Sequence, residues 1–218
     1  MVPVLLPRTC PLCGRPGPAP CGACALELQR APALPSPVGV DRCDSVLAYE
    51  GPGRELVARL KYRNARSTLR WLAVQMSALV DPSDIDVVTW VPTSSDRRVQ
   101  RGFDQAELLA RAIARQLHRP CRRLLVRGTG PPQTGRSLYE RRAGPTLDAT
   151  TAPRNARRIL LVDDVITTGT TVEVAARALR DKGVEHVRVV AAARTLLKRK
   201  RADSDNFSEY ECRRDRPA

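Results

Sequence analysis

Aromatic residues are scarce in this 218-residue chain: two Phe, two Trp and four Tyr make up 4% of it. That scarcity argues against a single-strand nucleic-acid surface built on base stacking, which needs a series of exposed rings. No apolar run approaches the ~18 residues of a membrane helix. The opening "MVPVLLPRTC" has too short an apolar stretch for a secretory signal. The expectation is a cytoplasmic protein with no membrane insertion. Lysine is nearly missing as well, at four residues, so the net charge of +14 rests on arginine. Only two histidines occur, His118 and His186, both at the margins of expected elements, which leaves no obvious general base.

The residues present point toward anions. Between Arg97 and Arg158 stand 15 arginines against four acids, Asp104, Glu107, Glu140 and Asp148. A field of that sign attracts phosphate, whether on a nucleic acid or on a small polyanion. With 42% hydrophobic and 28% charged residues, the length suits one packed domain and a small accessory module.

Three regions separate by composition: a Cys-, Pro- and Gly-rich module over 1–40, a patterned domain over 44–195, and a polar basic tail over 196–218 expected to be disordered. In the middle region, "DSVLAY" (44–49), "DVVTWV" (86–91), "RRLLVR" (122–127), "RRILLV" (157–162) and "VRVVAAA" (187–193) read as strands. One or two amphipathic helices are expected between the first two. Another runs through Phe103, Ala106, Ala110, Ile113 and Leu117, and a further one starts near Thr170 and stops at "DKG" (181–183). Strand–helix alternation with near-continuously apolar strands predicts an α/β fold, a parallel sheet with helices on both faces. Ligands bind such sheets at the carboxyl ends of the strands.

The motif "ILLVDDVITTGTT" (159–171) sits at such an end. Asp163 and Asp164 are expected to terminate the strand, and Thr167, Thr168, Gly169, Thr170 and Thr171 lead into the helix. Backbone N–H groups at a helix start, with hydroxyls beside them, form an anion seat, and glycine allows the tight turn. The two carboxylates suit vicinal hydroxyls or a divalent cation shared with the ligand. A sugar phosphate satisfies both halves.

This stretch resembles the phosphoribosyl-pyrophosphate (PRPP) loop of type I phosphoribosyltransferases. The resemblance implies that Asp163 and Asp164 hold the ribose 2′ and 3′ hydroxyls, with residues 167–171 around the 5′-phosphate and Mg2+ accompanying PRPP. It also implies that Pro92, Thr93 and Ser94 lie where these enzymes bind pyrophosphate, with Arg97, Arg98 and Arg101 adding charge. "RGFDQAELLA" (101–110) resembles the signature of the ComF/GntX family, which usually carries Asn where this chain has Asp104. "RGTGPPQTGRSLYERRAG" (127–144) resembles that family's loop over the reacting centre, implying that Arg136, Arg141 and Arg142 stabilise departing pyrophosphate. Here the chain has Gly144 and no following aromatic, where the family continues with Asn and an aromatic. "YEGPGRELVARLKYR" (49–63) resembles the same family.

Near the N-terminus, Cys10, Cys13, Cys21 and Cys24 form two C-x2-C turns separated by seven residues. Four thiolates so placed suit structural zinc, and a disulfide or redox pair is the alternative. An N-terminal four-cysteine zinc module before a phosphoribosyltransferase-like domain is the ComF arrangement. Two functions are then expected to compete. One is binding PRPP or a ribose-5-phosphate nucleotide with Mg2+, with transfer of the phosphoribosyl group to or from a nitrogenous base. The other is a non-catalytic accessory role in uptake and processing of single-stranded DNA, with DNA, nucleotide or competence proteins as partners.

Overall fold

Two nine-residue strands set the centre of the fold. The computed structural model describes residues 9–60, 66–128, 146–150 and 156–196. Strands β5 (Arg158–Ile166) and β6 (His186–Arg194) lie side by side and parallel, in register from Arg158 opposite His186 to Ile166 opposite Arg194. Strand β1 (Arg42–Ala48) flanks β6 and β2 (Val87–Trp90) flanks β5, giving a parallel sheet ordered β1-β6-β5-β2.

Both faces of this sheet are dry, so its strands are apolar at nearly every position rather than at every second one. In β5, Leu160 and Val162 enter one core while Ile159 and Leu161 enter the other, the period of two that a strand imposes. The first face is covered by α2 (Gly51–Arg59), α3 (Arg66–Ser77) and α5 (Gln105–Leu117). The second is covered by α6 (Thr170–Arg180), with a small antiparallel ladder of β3 (Leu125–Arg127) and β4 (Leu147–Ala149) beside it. Among the described residues no helix is long and apolar enough to cross a membrane.

The sheet, its parallel sense and its helices on both faces follow the sequence reading, and three local expectations change. Strand β5 continues through the paired aspartates to Ile166, because its ladder to β6 persists at Val165–Ala193 and Ile166–Arg194. "RRLLVR" forms a strand only at Leu125–Arg127. Just before it, Arg122 N–H donates to the Val88 carbonyl and Val88 N–H to that of Pro120, so this stretch lines the β2 edge. The polar stretch after β2, to which the sequence assigned no element, forms the short helix α4 (Ser95–Arg101), stopped by Gly102 at φ 75°. It buries no residue and leaves Val99 84% exposed, so no apolar periodicity announced it.

The segment before β1 is tied along the domain. Ala31 N–H donates to Val46 O and Ala48 N–H to Gln29 O, covering the open edge of β1. Further on, Arg194 donates to Pro35 O at 2.9 Å and Arg180 Nε to Gly39 O at 2.9 Å. Leu12 and Leu28 pack against the core under α2, α3 and α5.

Candidate functional site

The carboxyl ends of β2 and β5 converge on one spot. Val91 N–H donates to Val162 O at 3.0 Å, which sets Pro92 alongside Asp163. Asp163 is 8% exposed and its Oδ1 accepts the Asp164 N–H at 2.8 Å, while Asp164 Oδ1 accepts the Val165 N–H at 2.8 Å. Burial pushes the Asp163 carboxyl well above the ordinary carboxylate range, and the neighbouring charges of Asp164 and then Asp104 push the same way. Such a carboxyl is poised to accept a hydroxyl or a cation, since either relieves a charge the fold holds at a cost.

The threonine loop follows at once. Gly169, at φ 87°, is the N-cap of α6, and Glu173 N–H closes the first turn on Gly169 O at 3.0 Å. The Thr168 and Thr170 hydroxyls lie 3.0 Å apart, and Thr170 N–H reaches Thr168 Oγ1 at 3.4 Å. Amide groups in the first turn of a helix lack intrahelical partners, so this loop presents N–H groups and hydroxyls at the positive end of a dipole.

Gly169 is required for two reasons. Its φ lies in the left-handed region, and a Cβ there would stand 3.1 Å from Cγ of Pro37, the buried residue of the otherwise exposed strap ahead of β1. That strap is anchored on the same helix, since Val38 N–H donates to Glu173 Oε1 at 3.3 Å. Gly169→Ala should destabilise the fold by ~1–2 kcal/mol from backbone strain alone. Chemical denaturation reads this directly, and an unchanged midpoint would show that the loop relaxes freely.

Beside the aspartates, the residues after β2 are fixed by one side chain. Asp104 is buried; its Oδ2 accepts the Thr93 N–H at 2.8 Å, and its Oδ1 accepts the Ala106 and Glu107 N–H groups at 3.1 and 3.4 Å, capping α5. Burial raises its carboxyl, with the Thr93, Glu107 and Ala106 amides working against that. Asn carries one acceptor oxygen and could not fill both sides at once, so the aspartate anchors the Thr93 turn as well as the start of α5. Asp104→Ala should cost ~1–3 kcal/mol, the loss of a cap plus a freed buried amide. Equilibrium unfolding in urea tests this, and a change within error would remove Asp104 from the account.

Sequence reasoning passed over Asp104 as a site residue, although Asp104 with Glu107 three residues on is a capping signature. It also passed over Arg127, for which no local signal exists. Arg127 Nε donates to Pro92 O at 3.0 Å and is half-buried. Burial and the charge of Arg97 lower its guanidinium, while Asp163 and Asp104 raise it. A cation therefore stands within electrostatic reach of both buried carboxyls. Arg101 leans the other way, toward the start of α5, with Nη1 on Gln105 Oε1 at 3.0 Å. Arg136, Arg141 and Arg142 lie outside the described residues. The ends of their segment are joined by Gly128 N–H on Thr146 O at 3.1 Å, next to Arg127. His118 and His186 are exposed.

The second cluster is sulfur. The Sγ atoms of Cys10, Cys13, Cys21 and Cys24 all lie within 4.8 Å of one another, with Cys13 and Cys21 at 3.6 Å. Tetrahedral thiolates ~2.3 Å from a zinc ion stand roughly 3.8 Å apart, so the spacing fits a shared metal and is far too long for a disulfide. Burial pushes the Cys10 thiol up, but backbone N–H groups of Cys21, Cys13 and Leu12 outweigh it and bring it to about 6. Burial and the other three sulfurs push Cys24 up, which a metal dication would reverse. The four thiols can hold a metal ion; Cys43 stands apart in β1, its sulfur 3.9 Å from Arg194 Nη1.

The model of the phosphoribosyl transferase domain matches residues 104–216. The competence protein ComFC of Bacillus subtilis is 31% identical over 180 residues, covering 80% of this chain and 72% of the relative. The DNA utilization protein YhgH of Escherichia coli is 31% identical over 200 residues, covering 86% and 84%. Among solved structures, glutamine PRPP amidotransferase from B. subtilis, complexed with ADP and GMP, is similar at 24% identity and a TM-score of 0.43, over 62% of this chain and 30% of that one. Four clustered cysteines ahead of a parallel sheet, a matching transferase domain and two relatives aligned over most of their length lead to one assignment: the chain belongs to the ComF family, with a phosphoribosyltransferase-type domain.

Proposed function

We propose that the chain binds a phosphoribosyl ligand, PRPP or a ribose-5-phosphate nucleotide, where β5 meets α6. The carrying observation is the adjacency of a buried carboxyl pair and a threonine–glycine helix start on one strand end. In this reading Asp163 and Asp164 accept hydrogen bonds from the ribose 2′ and 3′ hydroxyls. Thr167, Thr168, Gly169, Thr170 and Thr171 enclose the 5′-phosphate, and Pro92, Thr93 and Ser94 face the pyrophosphate. Two neighbouring carboxyls facing a polyanionic ligand fit Mg2+, which when bound would neutralise charge on the pyrophosphate. Transfer to or from a base nitrogen would break or form the bond at the anomeric carbon, with Arg136 and Arg141 placed by family resemblance on the departing pyrophosphate. The four cysteines would hold a structural zinc, since four thiolates leave no open position for chemistry.

The decisive experiment is a screen of nucleobases with PRPP and Mg2+, following pyrophosphate release. Release that depends on one base and is lost in Asp164→Asn supports transfer. Binding without release in any combination restricts the function to holding the ligand.

The names of the relatives support a second reading, an accessory role in DNA uptake or use with DNA or competence proteins as partners. The positive charge of the chain favours it. Binding of an oligonucleotide that weakens steeply with salt is the expected result; a flat response contradicts it.

A further inference from the structure

At the other end of the sheet, away from the aspartates, two adjoining cavities open around arginines. One, of about 550 Å³, is lined by Arg111, Ala114, Arg115, His118, Arg119 and Cys121. The next, of about 400 Å³, shares Arg119 and continues to Arg122 and Arg158, over Asp86 and Val87 at the amino end of β2. The proposed ribose-phosphate site lies at the carboxyl ends of the same strands.

The shared Arg119 joins the two linings into one row of arginines. Arg111 and Arg115 stand four residues apart on α5, ~6 Å along its axis, and Arg119 follows just past the left-handed C-cap His118. Two carboxylates oppose the five guanidinium groups. Glu107 pairs with Arg111 at 2.8 Å and Asp86 with Arg158 at 2.8 Å. Arg119 is held by the Pro82 carbonyl at 2.8 and 3.0 Å, which orients the group without cancelling its charge. Arg115 and Arg122 are exposed and have no carboxylate partner among the described residues.

We infer that this arginine groove binds the phosphate backbone of single-stranded nucleic acid, at a site separate from the ribose-phosphate site. Three features select that occupant. A file of planar guanidinium groups matches a chain of phosphates better than one compact anion. One file suits one strand, whereas a duplex presents two. His118 is the one ring among the described lining residues, so contact is chiefly with the backbone and independent of base sequence. The inference rests on the nucleic-acid reading above and is indifferent to whether the other end of the sheet transfers a phosphoribosyl group.

The test uses the full zinc-loaded chain and a fluorescent mixed-sequence DNA oligonucleotide, titrated at several salt concentrations. The double variant Arg115→Gln/Arg122→Gln should bind at least tenfold more weakly, with a salt slope shallower by about 1.4. Ribose 5-phosphate at saturation should leave the oligonucleotide in place, and the variant should bind ribose 5-phosphate as the parent does. Stronger or equal binding of a duplex overturns the single-strand assignment. A parent that binds no oligonucleotide removes the nucleic-acid reading itself. A parent that binds, with an unaffected double variant or with displacement by ribose 5-phosphate, places the DNA elsewhere and overturns the groove.

Discussion

Replacing Cys24 with serine should drop bound zinc from about one ion per chain to almost none, and should loosen the whole N-terminal segment. Structural zinc in a four-thiolate site contributes ~10–16 kcal/mol of binding free energy, and in a segment with little core that is folding free energy. Beyond Leu12 and Leu28 against the core, few contacts hold the knuckles. Helix α1 (Gly22–Leu26) spans five residues and buries only Cys24. Two backbone bonds, Cys10 N–H to Arg15 O at 2.8 Å and Gly14 N–H to Cys10 O at 2.9 Å, close the first turn. The sheet has its own two cores and should survive. Hydrogen exchange should therefore accelerate over residues 10–28 and stay slow through β5 and β6. The strap from Pro35 to Gly39 connects the two regions, so loss of zinc should also be felt at Gly169 as weaker ligand binding. Full zinc content in Cys24→Ser would show that the four sulfurs are not the ligands.

Asp163→Asn should move function and stability in opposite directions. Ribose 5-phosphate or PRPP should bind about 10- to 100-fold more weakly, the loss expected when a charged hydrogen-bond acceptor becomes neutral. Stability at neutral pH should rise, because the substitution removes a charge that burial, Asp164 and Asp104 all disfavour. Asparagine Oδ1 can still accept the Asp164 N–H, so the turn is kept. The pH dependence follows from the direction of the shift. A carboxyl raised on folding binds its proton more tightly in the folded chain, so its contribution to stability is full below the unfolded value, ~4. That contribution falls as pH rises through the folded value. Asp104, also raised, adds to the decline. Thermal melts of the parent should therefore lose stability across the acid-to-neutral range, and Asp163→Asn should flatten part of that loss. A variant less stable than the parent at neutral pH would show that Asp163 is a structural anchor instead.

Much of this site is legible in the sequence because its parts are contiguous. Thirteen residues, 159–171, carry the strand, the acids and the helix start, and their physics is local: apolar run, carboxyl pair, glycine, threonines. The cysteine knuckles are legible for the same reason. What escaped reading comes from distant segments brought together. Pro37 on Gly169 joins positions 132 residues apart, and Arg127 on Pro92 joins positions 35 apart. Neither carries a pattern of its own. Strand β5 outran its expected end because two acids look like a terminus in sequence, whereas the pairing partner β6 carries the ladder on to Arg194. Helix α4 was hidden for the opposite reason, since a helix that buries nothing leaves no apolar trace.

The most direct test of the account is a calorimetric titration of the zinc-loaded chain with PRPP in the presence of Mg2+, repeated on Asp164→Asn. Saturable binding at one site per chain is expected in the parent, with a loss of about tenfold or more in affinity in the variant. No saturable binding in the millimolar range, or equal affinity in the two proteins, would contradict it.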